Sequence, residues 1–312
     1  MLGAALDPVP HAARGLRSAG TSGPSWTLHL AEGLALRSEG PDGLLAALAA
    51  RFPSWAAAEP GDDPAALRLG LSFAPSRSGL DPSDLSLPRI RLADQQLSLE
   101  GDRLSARADL RRGEAELRVD ADGGDAAALV DYALRVLTAL LVEARGGLLL
   151  HGAGLVRGHA GLLLLGPSGT GKTTAARNAA GARVLNDDLI LLLPGTDGGW
   201  QLHASPFSNP SQVPPAGPGH APLTAILRLR QAPVARLQPL SAAVALAELL
   251  AAVPVLVADP GRLPGLTRRL SSVLDRTPAA QLDLRADPSY WAQVDPWLAR
   301  MGRSGPDHGA ST

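Results

Sequence analysis

Apolar and polar residues alternate in short runs through the first third of the chain. A period of two is typical of half-buried strands, and polar turns separate the runs. A helical period interrupts them once, at 43–52. The pattern predicts an α+β domain over 26–125, with an antiparallel meander formed by its last four strands. The strands are expected at 26–31, 34–38, 67–73, 90–92, 96–100, 104–110 and 114–119.

A long helical pattern follows at 126–144. Its apolar stripe leaves Asp131 and Arg135 to one side. This spacing predicts an amphipathic helix that packs between two domains, so 126–146 is expected to be a connecting segment. The stripe is formed by Leu129, Tyr132, Val136 and Leu140.

The pattern changes again at 147, where continuous apolar strands begin to alternate with helices. Such alternation predicts an α/β domain with a buried sheet, over 147–300. The end segments 1–25 and 301–312 are rich in Gly, Pro and Ser and are expected to be loosely attached. Strands are predicted at 148–156, 160–165, 184–193, 200–204, 223–229 and 281–285, and helices from the glycine-rich loop to 181 and at 241–252, 261–274 and 288–300.

A glycine-rich loop joins the strand 160–165 to the helix that follows it. The segment 166–174 matches G-x-x-x-x-G-K-[ST], the motif of loops that surround a phosphate chain with backbone N–H groups. Lys172 is expected to reach the β- and γ-phosphates, and the Thr173 hydroxyl is expected to bind Mg²⁺. The residues predicted to bind the nucleotide are Gly166, Ser168, Gly169, Thr170, Gly171, Lys172, Thr173 and Thr174.

The composition makes this lysine informative. The chain has 29 basic residues, of which 28 are Arg and one is Lys172. A compact ammonium fits a tight phosphate loop better than a planar guanidinium does. The motif therefore holds the one lysine of a chain that otherwise uses arginine.

Two more features lie close to the loop in sequence. Asp187 and Asp188 follow the loop helix inside an apolar segment, where two carboxylates are costly unless a cation or a proton transfer compensates. His151 ends the apolar run 148–150, and its strand is expected to form a hairpin with the strand that leads into the loop. The alternatives are a solvated strand end or a helix cap for the aspartates, and a core histidine for His151.

Other candidates are weaker. The loop 205–210 either closes over the site, with Phe207 packed on a ligand, or is an ordinary turn. A structural role is favoured for His203. Surface positions are favoured for Arg157, Arg177 and Arg183, although each could neutralise phosphate charge.

Charge and hydropathy exclude several classes of protein. The formal net charge is -1, which argues against a general nucleic-acid binder. The chain has no Cys, and its longest apolar stretch, 241–258, contains a Glu and a Pro, so neither a disulfide framework nor a membrane span is expected. The N-terminus lacks the order of a signal peptide, so a cytoplasmic location is expected.

Taken together, these residues resemble the kinase domain of the HPr kinase/phosphorylase family. The resemblance rests on His151-Gly152, a strand hairpin, the loop 166–174 and Asp187-Asp188. It implies an α/β P-loop kinase domain of the HPr kinase/phosphoenolpyruvate-carboxykinase type, preceded by a smaller α+β domain. It also implies ATP and Mg²⁺ as cofactors. The implied catalytic residues are Asp187 as general base, His151 and Lys172, with the metal at Thr173 and Asp188.

The chain differs from that family at three points. Thr174 stands where an acidic residue is usual, the loop helix is slightly shorter, and the downstream segment associated with the phosphorylase reaction has no equivalent. The layout is more similar to HPr-kinase-like proteins encoded with peptide-modification systems. The expected activity is transfer of the γ-phosphoryl group of ATP to a hydroxyl, favouring Ser, of a peptide or protein. A nucleotide-binding regulatory or assembly module and a small-molecule kinase are the alternatives, and a homo-oligomer is compatible with either.

Overall fold

The computed structural model describes residues 25–56, 67–74, 88–120, 126–209 and 212–303, and these ranges form a mixed α/β structure with two sheets. Most residues of the two end segments that were predicted to be loosely attached, 1–25 and 301–312, lie outside the described residues. Ser25 already belongs to the first strand, and 301–303 end the last helix.

The first sheet comes from the alternating runs of the N-terminal part. Its order is β1-β2-β3-β7-β6-β5-β4. Strands β4 to β7 pair antiparallel in sequence order, which confirms the predicted meander, whereas β3 runs parallel to both β2 and β7. The elements are β1 (Ser25–Ala31), β2 (Leu34–Glu39), α1 (Asp42–Arg51), β3 (Leu67–Ala74), β4 (Arg89–Ala93), β5 (Gln96–Glu100), β6 (Leu104–Asp109) and β7 (Glu114–Asp120).

The long helix α2 (Ala126–Ala144) lies between the sheets. It packs on β2, β6 and β7 of the first sheet and on β8 (Leu148–His151) of the second. Its buried residues extend well beyond the predicted stripe and include Asp131, so the helix is buried on most of its circumference. One continuous apolar core therefore joins the N-terminal sheet, α2 and one face of the second sheet.

The second sheet carries the glycine-rich loop. Helices α3 and α6 cover one of its faces in a separate cluster, and α2, α4 and α5 cover the other. Its elements after β8 are β9 (Ala153–Arg157), β10 (Ala160–Leu165), α3 (Lys172–Arg177), β11 (Arg183–Asn186), β12 (Leu189–Pro194), β13 (Trp200–His203), β14 (His220–Gln231), β15 (Arg236–Pro239), α4 (Ala242–Ala251), α5 (Leu263–Leu274), β16 (Ala279–Leu284) and α6 (Trp291–Arg303).

Three parallel strands of this sheet position the loop. The long strand β14 pairs with β10 on one side and with β16 on the other, both in parallel. The glycine-rich loop leaves the carboxyl end of β10, and β14 and β16 end at the same edge. In open α/β sheets this edge is where ligands bind.

Two predicted strands are each divided in the structure. The strand expected at 148–156 breaks at Gly152, where a Cβ atom would lie 2.9 Å from the backbone oxygen of Leu164. The strand expected at 184–193 breaks at Asp187 and Asp188, which form a turn between β11 and β12. Both breaks lie at residues that the sequence singles out as candidates for chemistry.

The break at Gly152 corrects the expected pairing of the histidine strand. The hairpin that leads into the loop is β9–β10, whereas β8, with His151, pairs antiparallel with β12. His151 lies opposite Leu189 in that pairing, one residue from the acidic turn. His151 therefore lies beside the acidic pair because β8 pairs with β12, and not because β8 pairs with the strand that leads into the loop.

The loop helix is also shorter than predicted. It ends at Arg177, because Asn178 leaves the helical conformation with φ of −96° and ψ of +30°. Ala180 and Gly181 then take left-handed conformations with φ of +46° and +87° and turn the chain towards β11. The strand β15 was not predicted. Its four residues begin shortly after Pro233 and end at Pro239, and they carry too short a pattern to be recognised.

Candidate functional site

The glycine-rich loop has the backbone conformation that its motif requires. Gly166, Gly169 and Gly171 have φ of +142°, +83° and +105°, which side chains with a Cβ rarely adopt. A Cβ at Gly166 would lie 2.8 Å from Thr170 Oγ1, and one at Gly171 would lie 2.9 Å from a methyl group of Leu284. The loop is therefore compact, and glycine is required at these turns.

Lys172 closes the loop from inside. Its Nζ donates hydrogen bonds to the backbone oxygens of Gly166 at 2.7 Å and Pro167 at 3.2 Å. The residue is only 7% exposed. Burial lowers the pKa of this ammonium, and the nearby charges of Asp188 and Asp187 oppose that shift. A cation is thus held at the centre of a loop whose rim, including Ser168, is exposed.

The far end of α3 is anchored by two aromatic side chains. The Tyr290 hydroxyl donates to the backbone oxygens of Ala175 at 2.9 Å and Asn178 at 3.2 Å, and the Trp291 indole N–H donates to Asn178 at 3.2 Å. These bonds satisfy carbonyls that a helix end leaves without partners. They hold α3 against the apolar cluster on the face of the second sheet that α3 and α6 cover.

A cavity of about 730 Å³ opens beside the loop, and it is lined by Gly171, Thr174, Gln231, Leu284 and Arg285 among others. Gln231 ends β14 and donates to the backbone oxygen of Gly169 at 2.5 Å. The cavity therefore lies where the three parallel strands end, next to the predicted phosphate-binding residues. Its volume is in the range of small-molecule sites.

The acidic turn is shaped by Asn186, which is fully buried. Its Oδ1 accepts hydrogen bonds from the backbone N–H groups of Asp188 at 2.7 Å and Leu189 at 3.0 Å. Its Nδ2 donates to the backbone oxygens of Ser205 at 2.9 Å and Phe207 at 2.8 Å. One side chain thus fixes both the turn and the loop that follows β13.

Asp187 faces the glycine-rich loop. Its Oδ2 accepts from the backbone N–H of Val213 at 3.1 Å, and its carboxyl group hydrogen-bonds with the Thr173 hydroxyl. Among the described residues no group donates to its buried Oδ1. Burial raises the pKa of this carboxyl, against the lowering effect of the bonds from Val213 and Thr173. An under-satisfied buried carboxylate oxygen beside a loop threonine is a position suited to a cation or a proton.

Asp188 has a different environment. Its Oδ2 accepts from Arg135 Nη1 at 3.0 Å and from Asn209 Nδ2 at 3.1 Å, and its Oδ1 lies 3.5 Å from His151 Nδ1. Burial lowers the pKa of His151, the charge of Lys172 lowers it further, and Asp188 opposes both effects. The structure therefore brings His151, Lys172 and both aspartates together.

The sequence patterns did not single out Arg135 and Asp131 as site residues. Arg135 donates to Asp131 Oδ2 as well as to Asp188, and its guanidinium lies 5.4 Å from the centre of the Phe207 ring. The available signal in the sequence was an Asp and an Arg four residues apart in a largely apolar helix.

Phe207 does not have the role that one hypothesis gave it. The residue is fully buried and packs edge-to-face on Phe52 of the N-terminal part, with ring centres 6.1 Å apart. Its ring therefore belongs to the core and is not available to pack on a ligand in this conformation. The last predicted residue of that loop, Pro210, lies outside the described residues.

The remaining candidates have structural partners. His203 stacks on His220 across β13 and β14, with ring centres 5.0 Å apart. Arg157 pairs with Asp295 at 2.7 Å and lies over the Trp291 ring, and Arg183 donates to the backbone oxygen of His220 at 3.1 Å. Arg177 lies close enough to Asp187 to lower the pKa of that carboxyl.

Comparison with protein families finds similarity over part of the chain. The model of the family described as SynChlorMet cassette protein ScmC matches residues 126–257. This segment includes α2, His151, the glycine-rich loop and the acidic turn, but not β16. No curated protein is significantly similar to the chain.

Two features are absent from the described ranges. No helix there has the length and apolar character needed to cross a membrane. Within the same ranges, no three His, Asp or Glu side chains are grouped closely enough to hold a metal ion by themselves.

Proposed function

We propose that the chain is an ATP-dependent phosphotransferase of the P-loop type, similar to HPr kinase, which transfers the γ-phosphoryl group to a hydroxyl of a peptide or protein. The observation that carries the proposal is the arrangement of Lys172 inside the glycine-rich loop with Asp187 facing Thr173. A loop that only makes a turn has no need of a buried ammonium within electrostatic reach of a buried carboxylate, since each is costly to desolvate.

The residues fit Mg²⁺·ATP. The conformation of the loop glycines lets backbone N–H groups approach a phosphate chain, and Lys172 supplies a positive charge there. The adjacent 730 Å³ cavity is large enough for the nucleoside. Magnesium in nucleotide complexes takes one or two protein ligands in addition to phosphate oxygens. The Thr173 hydroxyl can provide one, and the bound ion would neutralise charge on the β- and γ-phosphates.

The contacts of the two aspartates favour a division of roles. Asp187 has a raised pKa and a buried oxygen to which no group in the described part of the chain donates a hydrogen bond. It can therefore accept the proton of an acceptor hydroxyl as the phosphorus–oxygen bond to that hydroxyl forms and the bond to ADP breaks. Asp188 is occupied by Arg135, Asn209 and His151. We therefore propose that Asp188 supports the site from behind. Its assignment as a metal ligand stays a prediction.

The acceptor is proposed from the resemblance. HPr-kinase-like proteins encoded with peptide-modification systems point to a serine hydroxyl on a peptide, and we propose a cytoplasmic location for the reaction. The matching family model describes a cassette protein, and its description specifies no reaction.

Calorimetry with Mg²⁺·ATP tests the nucleotide site. We expect Lys172→Ala to weaken binding about 100-fold or more, because it removes a charge-assisted contact to phosphate, and Lys172→Arg to weaken it less. Thermal melting of both variants controls for folding. Unchanged affinity in both variants would overturn the assignment of the site.

Asp187→Asn separates a kinase from a nucleotide-binding module. The change keeps the side-chain shape and the acceptor for Val213 but removes the proton acceptor. We expect ATP affinity within about 3-fold of the wild type, and a loss of phosphoryl transfer to serine-containing peptides of about 100-fold or more. Measurable binding without turnover, in wild type and variant alike, would favour the regulatory module instead.

A further inference from the structure

A line of ion pairs leads from the N-terminal part of the chain to the acidic turn. Arg51, at the end of α1, lies 2.7 Å from Asp131 Oδ2, and Arg135 lies 3.1 Å from the same oxygen. Arg135 then reaches Asp188 Oδ2 at 3.0 Å. The side chains of Arg51, Asp131, Arg135 and Asp188 are 36%, 7%, 18% and 4% exposed. The line therefore starts near the surface and ends buried at the candidate active site.

Arg135 is held in one conformation by several neighbours. Its guanidinium donates to Asp131, to Asp188 and to the backbone oxygen of Ser208 at 3.1 Å. The same group lies over the Phe207 ring, which in turn packs on Phe52. Because the arginine fork is planar, these contacts fix both its position and its orientation.

The acidic turn depends on this arginine for neutralisation. Breaking a buried ion pair by removing one partner leaves an uncompensated charge, which is strongly destabilising locally. Asp188 also joins the turn to the histidine strand, since its backbone oxygen accepts from the N–H of Gly152 at 3.0 Å. A displaced Asp188 would therefore move Asp187 and His151 together.

We propose that Arg135 is a positioning residue for the phosphoryl-transfer site, and that the N-terminal part of the chain acts on that site by fixing Arg135 through Arg51 and Phe52. This inference rests on the proposed function. It gives a role in the reaction to a region whose sequence patterns indicated none. Within the described ranges, the hydrogen bonds of Arg135 and Arg51 go to Asp131, Asp188 and Ser208 and not to the glycine-rich loop. Nucleotide binding and turnover are therefore expected to separate.

Arg135→Gln is compared with Arg135→Lys and with Arg262→Gln. Arg262 is a matched control, because it is a similarly buried arginine that pairs with Glu143 at the other end of the same helix. We expect Arg135→Gln to lower kcat for Mg²⁺·ATP hydrolysis about 10- to 100-fold while ATP affinity changes less than about 3-fold. Arg135→Lys should recover part of the loss, and Arg262→Gln should stay within about 2-fold.

Hydrogen exchange provides a readout that does not need turnover. We expect Arg135→Gln to increase amide exchange in peptides covering 148–156 and 184–193 while 220–231 stays protected, and Arg262→Gln to leave the first two unchanged. Should Arg135→Gln fail to fold, Arg51→Gln makes the same comparison at the outer end of the line, with an expected kcat loss of about 3- to 10-fold.

These results distinguish the two proposals. If the wild type does not bind Mg²⁺·ATP, the proposed function fails, and the exchange pattern alone decides whether Arg135 positions the turn. If kcat in the folded variant stays within about 3-fold of wild type, or if Arg262→Gln shows the same loss and the same exchange, the positioning role is wrong.

Discussion

Asn186 connects the acidic turn to the loop after β13, and replacing it tests whether hydrogen bonds or shape hold this region. Its amide makes four bonds of 2.7 to 3.0 Å and a longer one of 3.2 Å to Ser205 Oγ. Asn186→Ala removes all of them inside the core. At about 1 kcal/mol for each of the four good bonds, the expected loss is about 4 kcal/mol.

Asn186→Asp is the sharper test, because it preserves shape and volume. Its Oδ1 can still accept from the backbone N–H groups of Asp188 and Leu189. Its second oxygen would, however, face the oxygens of Ser205 and Phe207, which the amide N–H₂ group now satisfies. We therefore expect Asn186→Asp to be at least as destabilising as Asn186→Ala, by about 4 kcal/mol or more.

Urea unfolding followed by circular dichroism measures both variants. Asn178→Ala is the control, because that partly buried amide makes one side-chain bond, to the backbone oxygen of Thr174 at 3.0 Å. The control should cost about 1 kcal/mol. If Asn186→Asp unfolds at the wild-type urea concentration, or clearly later than Asn186→Ala, the hydrogen-bond reasoning is wrong and packing determines the turn.

Two further predictions concern stability. Phe207→Ala should cost about 3–5 kcal/mol, because the ring is fully buried between Phe52 and Arg135, and urea unfolding within about 1 kcal/mol of wild type would contradict this. Burial and the neighbouring His220 lower the pKa of His203 from 6.5 to about 4, so the unfolded chain binds more protons in that interval and stability falls as pH decreases from 6.5 towards 4. Full expression of this shift would give about 3 kcal/mol, which solvent screening at the partly exposed ring reduces to about 1–2 kcal/mol. His203→Gln should flatten the pH dependence of the melting temperature in that window, and an unchanged slope would refute the assignment.

Several strands could be predicted because their signal is local. Alternation over three to seven residues located the meander, and the apolar run 160–165 located the strand before the loop, since burial of one or both faces fixes the hydrophobic period. The compact conformation of the loop 166–174 could be predicted, because it requires glycine at particular positions. Its phosphate-binding chemistry stays a prediction. The resemblance to HPr kinase, with its fold, cofactors and acceptor, stays a prediction.

The breaks in the predicted strands could not be found in the same way. Gly152 and the acidic pair lie inside apolar runs. The apolar pattern is the same on both sides of these residues, so it gives no sign that a strand ends there. The chain turns at these points because a backbone oxygen approaches Gly152 too closely for a side chain, and because Asn186 captures two N–H groups of the turn. The oxygen that approaches Gly152 belongs to a different strand, and the acidic turn depends on the contacts of one side chain. Hydrophobic periodicity carries information on neither.

The sequence by itself determined the glycine-rich loop, the one lysine in it and the nearby acidic pair, because each is a local pattern with a local physical requirement. The tertiary structure alone decided how the two aspartates differ. Asp187 faces Thr173 with a buried oxygen, whereas Asp188 is neutralised by an arginine 53 residues earlier in the chain. Adjacent residues in a turn point in different directions, so their environments depend on which distant elements pack there. For the same reason, the N-terminal part has no functional pattern of its own and still reaches the site.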